Sequence, residues 1–272
     1  MTEHAEHSTP HLTNWVNLWA EATRSHELAA FLTRWETAIF SAIIVTLVLA
    51  GAVILSRSVR LVPGRFQAGA EAVIGGLDDL VTSIMGPRGR AYTPFVGSLF
   101  LYILITNFYG LIPLQNSATA YLTTTAPLAI SVFFYVQFVA VTKNGVLGYL
   151  HHLAGSPGSV AEWLFVPLNF PLHVMGEFIK PVTLMFRLYG NIMAGHILVA
   201  VFLQMGIQML APLRIPAGVP LHLPFLFLEI LVGGIQAFVF ALLSTVYIAM
   251  MLPHEEHHHG ELVETLTTKG AH

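Results

Sequence analysis

Apolar runs longer than any soluble core requires divide this 272-residue sequence into membrane-length pieces. A helix that crosses the hydrocarbon needs about 20 mostly apolar residues at 1.5 Å each. Thr37 to Leu55 meets that condition and is closed by Ser56 and Arg57. Further spans are expected at 94–114 and 126–142. From 163 to 210 the apolar character persists so long that a straight helix would measure about 70 Å, more than twice the hydrocarbon thickness. One long tilted helix or a hairpin would satisfy it. A last run, 223–252, is roughly 45 Å long as a helix and is also expected to tilt. The fold class expected is all-α: a polytopic integral membrane protein with five or six membrane segments. Composition agrees where it matters. Only 10% of residues are charged, against roughly 25% in soluble domains, so the chain lacks the polar surface to face water alone. With no cysteine, disulfides and thiolate sites are excluded.

A single membrane domain is expected over 37–252, flanked by an extramembrane segment, 1–36, and a tail, 253–272. Glu3, Glu6, Glu21 and Glu27 precede any apolar run, unlike the basic start and short apolar core of a cleavable signal. Trp15 to Trp35 and Phe66 to Met85 interleave apolar and acidic residues, as interfacial helices or packed loop helices do. Arginines 57, 60, 65, 88 and 90 fall between the first two spans, the next loop (115–125) has no basic residue, and Lys143 follows the third span. This alternation predicts a cytoplasmic 57–90 loop, an N-terminus on the opposite side and a cytoplasmic tail. The tail run His254-Glu255-Glu256-His257-His258-His259 offers metal-binding residue types. It reads as a solvated tail, because nothing imposes ligand geometry on it.

The informative residues are ionisable and amide groups inside apolar stretches: His173, Glu177, Lys180, Arg187, Asn191 and His196, then Glu229 and Gln236. An ionisable group at mid-membrane depth costs at least about 2.5–3.5 kcal/mol on insertion scales, so it faces a partner or a water path. Arg187 cannot shed its proton and must be compensated by something anionic. On a helix, His173, Glu177, Lys180, Arg187 and Asn191 fall within roughly 40° of one line, with Pro181 expected to kink it. His196 lies off that line, about 13.5 Å beyond Arg187. Glu229 and Gln236, seven apart, share a face. Gly190, Ala194, Gly233 and Gly234 would let helices approach closely. Structural roles compete at several positions. Lys180 beside Pro181 can snorkel or fill freed carbonyls, His173 can be a hydrogen-bonded core histidine, and Asn191 and Gln236 can be interhelical glue. Arg187 has no comparable structural role. His196 and Glu229 together make a plausible proton-exchanging pair.

The string Lys180-Pro-Val-Thr-Leu-Met-Phe-Arg187-Leu-Tyr-Gly-Asn191-Ile-Met-Ala-Gly195-His196 resembles subunit a of the F-type ATP synthase membrane sector. Supporting it are Val62-Pro-Gly-Arg-Phe-Gln67, Asn107-Phe-Tyr-Gly-Leu-Ile-Pro113, and Gln236-Ala-Phe-Val-Phe240 with Tyr247. The resemblance covers about residues 30 to 252 in the same order. It implies a stator subunit that faces a rotating ring of c subunits, with two offset aqueous half-channels. The arginine matching Arg187 faces the essential ring carboxylate, and the family's channel-lining amides match Asn191 and Gln236. Glutamate in some members matches His196, and histidine matches Glu229, so this chain exchanges the two residue types. Two acid positions of some members are Gly110 and His173 here, with Glu177 a turn after the latter. The partners implied are the c-subunit ring, the peripheral-stalk b subunits, the rest of the ATP synthase and the lipid bilayer of a bacterial inner membrane. Neither a cofactor nor a nucleic-acid partner is expected.

No Gly-rich phosphate loop is present, so ATP chemistry is expected in other subunits. Two other readings compete. A secondary ion-coupled transporter should show repeated halves with paired broken helices, and no internal repeat is visible. An intramembrane metalloenzyme would have to use His173, His196, His222 and Glu229, which lack a His-Glu-x-x-His spacing.

Overall fold

The structure is a computed structural model that describes residue 19 and residues 26–57, 64–112, 117–155, 163–210 and 219–252. The histidine-rich tail and most of the Trp15–Trp35 stretch lie outside the described residues. Those described form seven helices and no strand: α1 (His26–Arg34), α2 (Glu36–Arg57), α3 (Arg65–Met85), α4 (Thr93–Tyr109), α5 (Leu122–Leu153), α6 (Val166–Leu210) and α7 (Leu223–Met251). Short 3₁₀ turns occupy Pro87–Ala91 and Ala118–Ala120. Helix is the expected solution, since backbone groups in lipid must be satisfied within the segment. Helices α2, α5, α6 and α7 are long and apolar enough to cross a membrane, and α4 is apolar but shorter.

The stretch left open between a tilted helix and a hairpin is one continuous 45-residue helix, α6, that runs through Pro171 and Pro181. At about 68 Å it is more than twice the hydrocarbon thickness, so it crosses steeply inclined. Helix α5 outlasts the 126–142 expectation but breaks at Gly145, whose φ of 71° and ψ of 166° are non-helical. Asn144 sits at the break. Its Nδ2 donates to the carbonyls of Ala140 (3.1 Å) and Met251 (2.7 Å), which ties the break to the end of α7. Helix α4 stops at Tyr109, short of the expected 114. An ideal Cβ on Gly110 would stand 2.4 Å from the Ser117 Cβ, so the returning chain occupies the space a side chain would need. Ser117, Ala118 and Thr119 are buried, as irregular backbone at membrane depth must be.

Helix α7 is central and packs against α3, α4, α5 and α6. The core comes from residues at helical spacing: Val96, Leu99 and Ile103 on α4, Val132, Val136 and Val139 on α5, Leu184, Leu188 and Ile192 on α6, and Ala237, Phe240, Ala241 and Ile248 on α7. Helix α3 is amphipathic, with Leu77 and Val81 buried and Phe66, Val73 and Ile74 exposed. Asp78 fastens it to α4 by accepting hydrogen bonds from Arg90 Nε and Thr93 Oγ1, both at 2.9 Å. Helix α2 packs on α4 with Phe40 and Ile44 buried and leaves beside it a cleft of about 810 Å³ whose walls include Arg34, Ser41, Tyr102 and Pro127.

Candidate functional site

Helix α6 carries polar groups on both sides of Arg187, and each side meets a different neighbour. Glu177 lies ten residues before Arg187 and His196 nine after, about 15 and 13.5 Å along the axis. On the near side Lys180 Nζ lies 2.5 Å from Glu177 Oε1. Gln137 of α5 donates from Nε2 to Glu177 Oε2 at 3.4 Å, and the Tyr149 hydroxyl donates to Gln137 Oε1. The Lys180 ammonium stands 5.6 Å from the centre of the Tyr247 ring on α7.

On the far side His196 Nε2 comes within 3.2 Å of Glu229 Oε1 on α7. The ring N–H is not aligned on that oxygen, so Oε1 is buried without a hydrogen bond. Glu229 is only 7% exposed. The approach depends on Gly195, where an ideal Cβ would lie 3.1 Å from the same oxygen. Between the two clusters, Asn191 Nδ2 donates to Gln236 Oε1 at 2.7 Å, while Gln236 Nε2 is buried and unbonded. Buried polar atoms left unpaired are uncommon and mark places where water, an ion or function enters.

Arg187 belongs to neither cluster. It is exposed and forms no hydrogen bond or ion pair with any described residue. Gly190, Asn191 and Ala194 follow it at i+3, i+4 and i+7, so the surface beside it is low, and nothing lies within 4 Å of the Cβ position of Gly190. Of the small residues expected to draw helices together, Gly190 and Ala194 therefore face outward, and Gly195 makes the α6–α7 approach. Gly233 instead admits Asn107 of α4, whose Nδ2 donates to the Gly233 carbonyl at 3.0 Å.

The structure thus brings Asn191 to Gln236 and His196 to Glu229, and joins Glu177 to Lys180. It leaves His173 exposed, its Nδ1 donating to the Asn169 carbonyl of its own helix at 3.0 Å. Sequence reasoning missed Gln137 and Tyr149, and it singled out Asn107 only within a family string, without its partner Thr119, whose Oγ1 donates to Asn107 Oδ1 at 2.7 Å. Gln137, a lone amide in an apolar run, was the available signal. Among the described residues no three of His, Asp and Glu converge as metal ligands would, and the four residues of the metalloenzyme reading are not gathered.

The fold defines a polytopic, all-helical membrane protein. Residues 38–249 match the family described as ATP synthase A chain. The chain is 39% identical over 254 residues to the ATP synthase subunit a of Protochlamydia amoebophila, covering 93% of both. It is 38% identical over 206 residues to ATP synthase subunit a 3 of Pelobacter propionicus (76% of this chain, 82% of that one). It is 33% identical over 214 residues to the ATP synthase subunit a of Gluconacetobacter diazotrophicus (76% and 84%). The chain belongs to the ATP synthase subunit a family, the proton-channel subunit of the membrane sector. It is an integral protein of a bacterial membrane.

Proposed function

We propose that the chain is the non-catalytic stator of the proton path, with Arg187 separating two half-channels that couple proton flow to rotation of a ring of c subunits. The observation that carries this is an exposed permanent cation on an apolar helix, unpaired among the described residues, with a largely buried polar cluster on each side. Such a cation in lipid is costly, and a carboxylate presented by a neighbouring chain compensates it. The low Gly190–Ala194 surface permits that chain to come close. Beside Arg187 the visiting carboxylate is favoured in its ionised form. Against lipid it must be neutral, so it takes up a proton before it moves on. Arg187 thereby stops a protonated site from passing directly between the half-channels.

The Glu177 cluster, with His173 near it, serves one half-channel. The His196–Glu229 pair serves the other, and Asn191 and Gln236 flank the arginine. Lysine and arginine placement favours a cytoplasmic 57–90 loop and tail, which puts Glu177 on the cytoplasmic side of Arg187 and Glu229 on the outer side. A single membrane domain over 37–252, with extramembrane ends, an inner-membrane location and b subunits as further partners, completes this reading. ATP chemistry resides in other subunits.

The test is substitution of Arg187 in the assembled complex, read as ATP synthesis and ATP-driven acidification in membrane vesicles, with ring co-purification as the assembly check. Arg187→Ala should abolish coupled synthesis and admit a passive proton leak. Arg187→Lys should fail as well, because lysine is a point charge that deprotonates when buried and lacks the planar fork. Wild-type coupling in an assembled Arg187→Ala complex would refute the proposal.

A further inference from the structure

Glu177 is the only acid of α6, and its two oxygens are held differently. Oε1 lies 2.5 Å from Lys180 Nζ. Oε2 faces Gln137 Nε2 at 3.4 Å, a separation that orients the oxygen without saturating it and leaves a lone pair for water. An amide can be turned either way round. Here the ionised carboxylate can only accept, so Nε2 faces it, and the Tyr149 hydroxyl braces that orientation by donating to Gln137 Oε1. In a continuous helix residues 137 and 149 would stand about 18 Å apart, beyond the reach of a phenol and an amide. They meet because the chain reverses at Gly145, whose φ of 71° with ψ of 166° is a conformation essentially reserved to glycine. From α7 the Tyr247 ring lies against Lys180, and Phe133, Val136 and Leu184 supply apolar wall.

We propose that Gln137 and Tyr149, brought together by the Gly145 reversal, are positioning residues that aim the Glu177 carboxylate into the proton path. This rests on the reading of Glu177 as a proton-exchanging group. It makes Glu177, and not the exposed His173, the acid on this side of Arg187. Lys180 alone would hold the carboxylate as a closed ion pair. The amide turns the second oxygen outward, and the phenol fixes the amide.

The experiment uses the complete complex with Gln137→Leu, Tyr149→Phe and Glu177→Gln, singly and in pairs. Proton-driven ATP synthesis is measured in vesicles. Subtracting the infrared spectrum of the Glu177→Gln complex isolates the Glu177 carboxyl band. Gln137→Leu should shift that band and slow synthesis about three- to tenfold, the weight of one to two hydrogen bonds. Tyr149→Phe, which removes one oxygen and keeps the ring, should move the band the same way by less. In the Glu177→Gln background neither change should slow synthesis further. An unmoved band and unchanged synthesis in both variants, with Glu177→Gln slow, overturn the positioning role alone. Wild-type synthesis by Glu177→Gln removes Glu177 from the path and this inference with it, and Arg187→Ala judges the separator independently.

Discussion

A single methyl group at Gly206 should loosen the helix pair that carries His196 and Glu229. Val219 crosses α6 there, its N–H donating to the Gly206 carbonyl at 3.0 Å. An ideal Cβ on Gly206 would stand 2.1 Å from the Val219 carbonyl oxygen, whereas even close C–H···O contacts keep roughly 3.3 Å between carbon and oxygen. The obstacle is backbone, so no rotamer relieves it, and Gly206→Ala must push the chains apart by about 1 Å. Losing the hydrogen bond costs about 1 kcal/mol and overpacking about 1–3 kcal/mol. Alanine's better helix propensity offsets about 1 kcal/mol, which leaves a net loss of about 1–3 kcal/mol. Gly206 lies ten residues after His196 and Val219 ten before Glu229, so the crossing fixes the helices beyond the 3.2 Å contact of that pair. An opening of 1 Å takes the pair past ion-pair distance. The assay is thermal denaturation of the detergent-purified complex. The midpoint should fall by several degrees, at about 2–4 °C per kcal/mol for a chain of this size, with reduced abundance in membranes. Gly51→Ala on α2, an exposed position where nothing lies within 4 Å, is the control and should keep or raise the midpoint. A Gly206→Ala complex that melts with wild type refutes the reasoning.

Glu229→Gln should slow proton-driven ATP synthesis, since only the carboxylate accepts the proton. Exchanging the residues at 196 and 229 should recover more activity than either single replacement, and wild-type rates in all three would reduce the pair to packing. The Thr93 hydrogen bond, then Arg90, holds the Asp78 carboxyl below its ordinary value of 3.8. Its stabilisation is therefore present above that value and lost as pH falls through the lowered one. Asp78→Asn should weaken the α3–α4 junction at neutral pH and narrow the stability difference between neutral and strongly acidic solution. An unchanged pH dependence of thermal stability would count against the role. Single cysteines at Ser58 and Thr268 should react with impermeant label only from the cytoplasmic side, and labelling of either from outside alone would overturn that half of the topology.

The apolar runs by themselves determined an all-helical membrane protein, because lipid forbids unsatisfied backbone and so leaves few structures open. They also exposed Arg187, Glu229 and their companions, since a charge in an apolar run is conspicuous without any knowledge of its neighbours. What the sequence could not fix was which group each polar residue meets, because that depends on how long helices incline and cross. Nothing local distinguishes Gly195, pressed on Glu229, from Gly190, which faces open space; the rotation of α6 against α7 decides it. The 163–210 run stayed ambiguous because prolines can kink a helix or end one, and only packing against α5 and α7 made it a single element. Gln137 and Tyr149 stayed hidden for the most physical reason: they stand twelve residues apart on one helix by periodicity. Only the left-handed backbone at Gly145, a tertiary choice tied down by Asn144 and the end of α7, brings them to the same carboxylate.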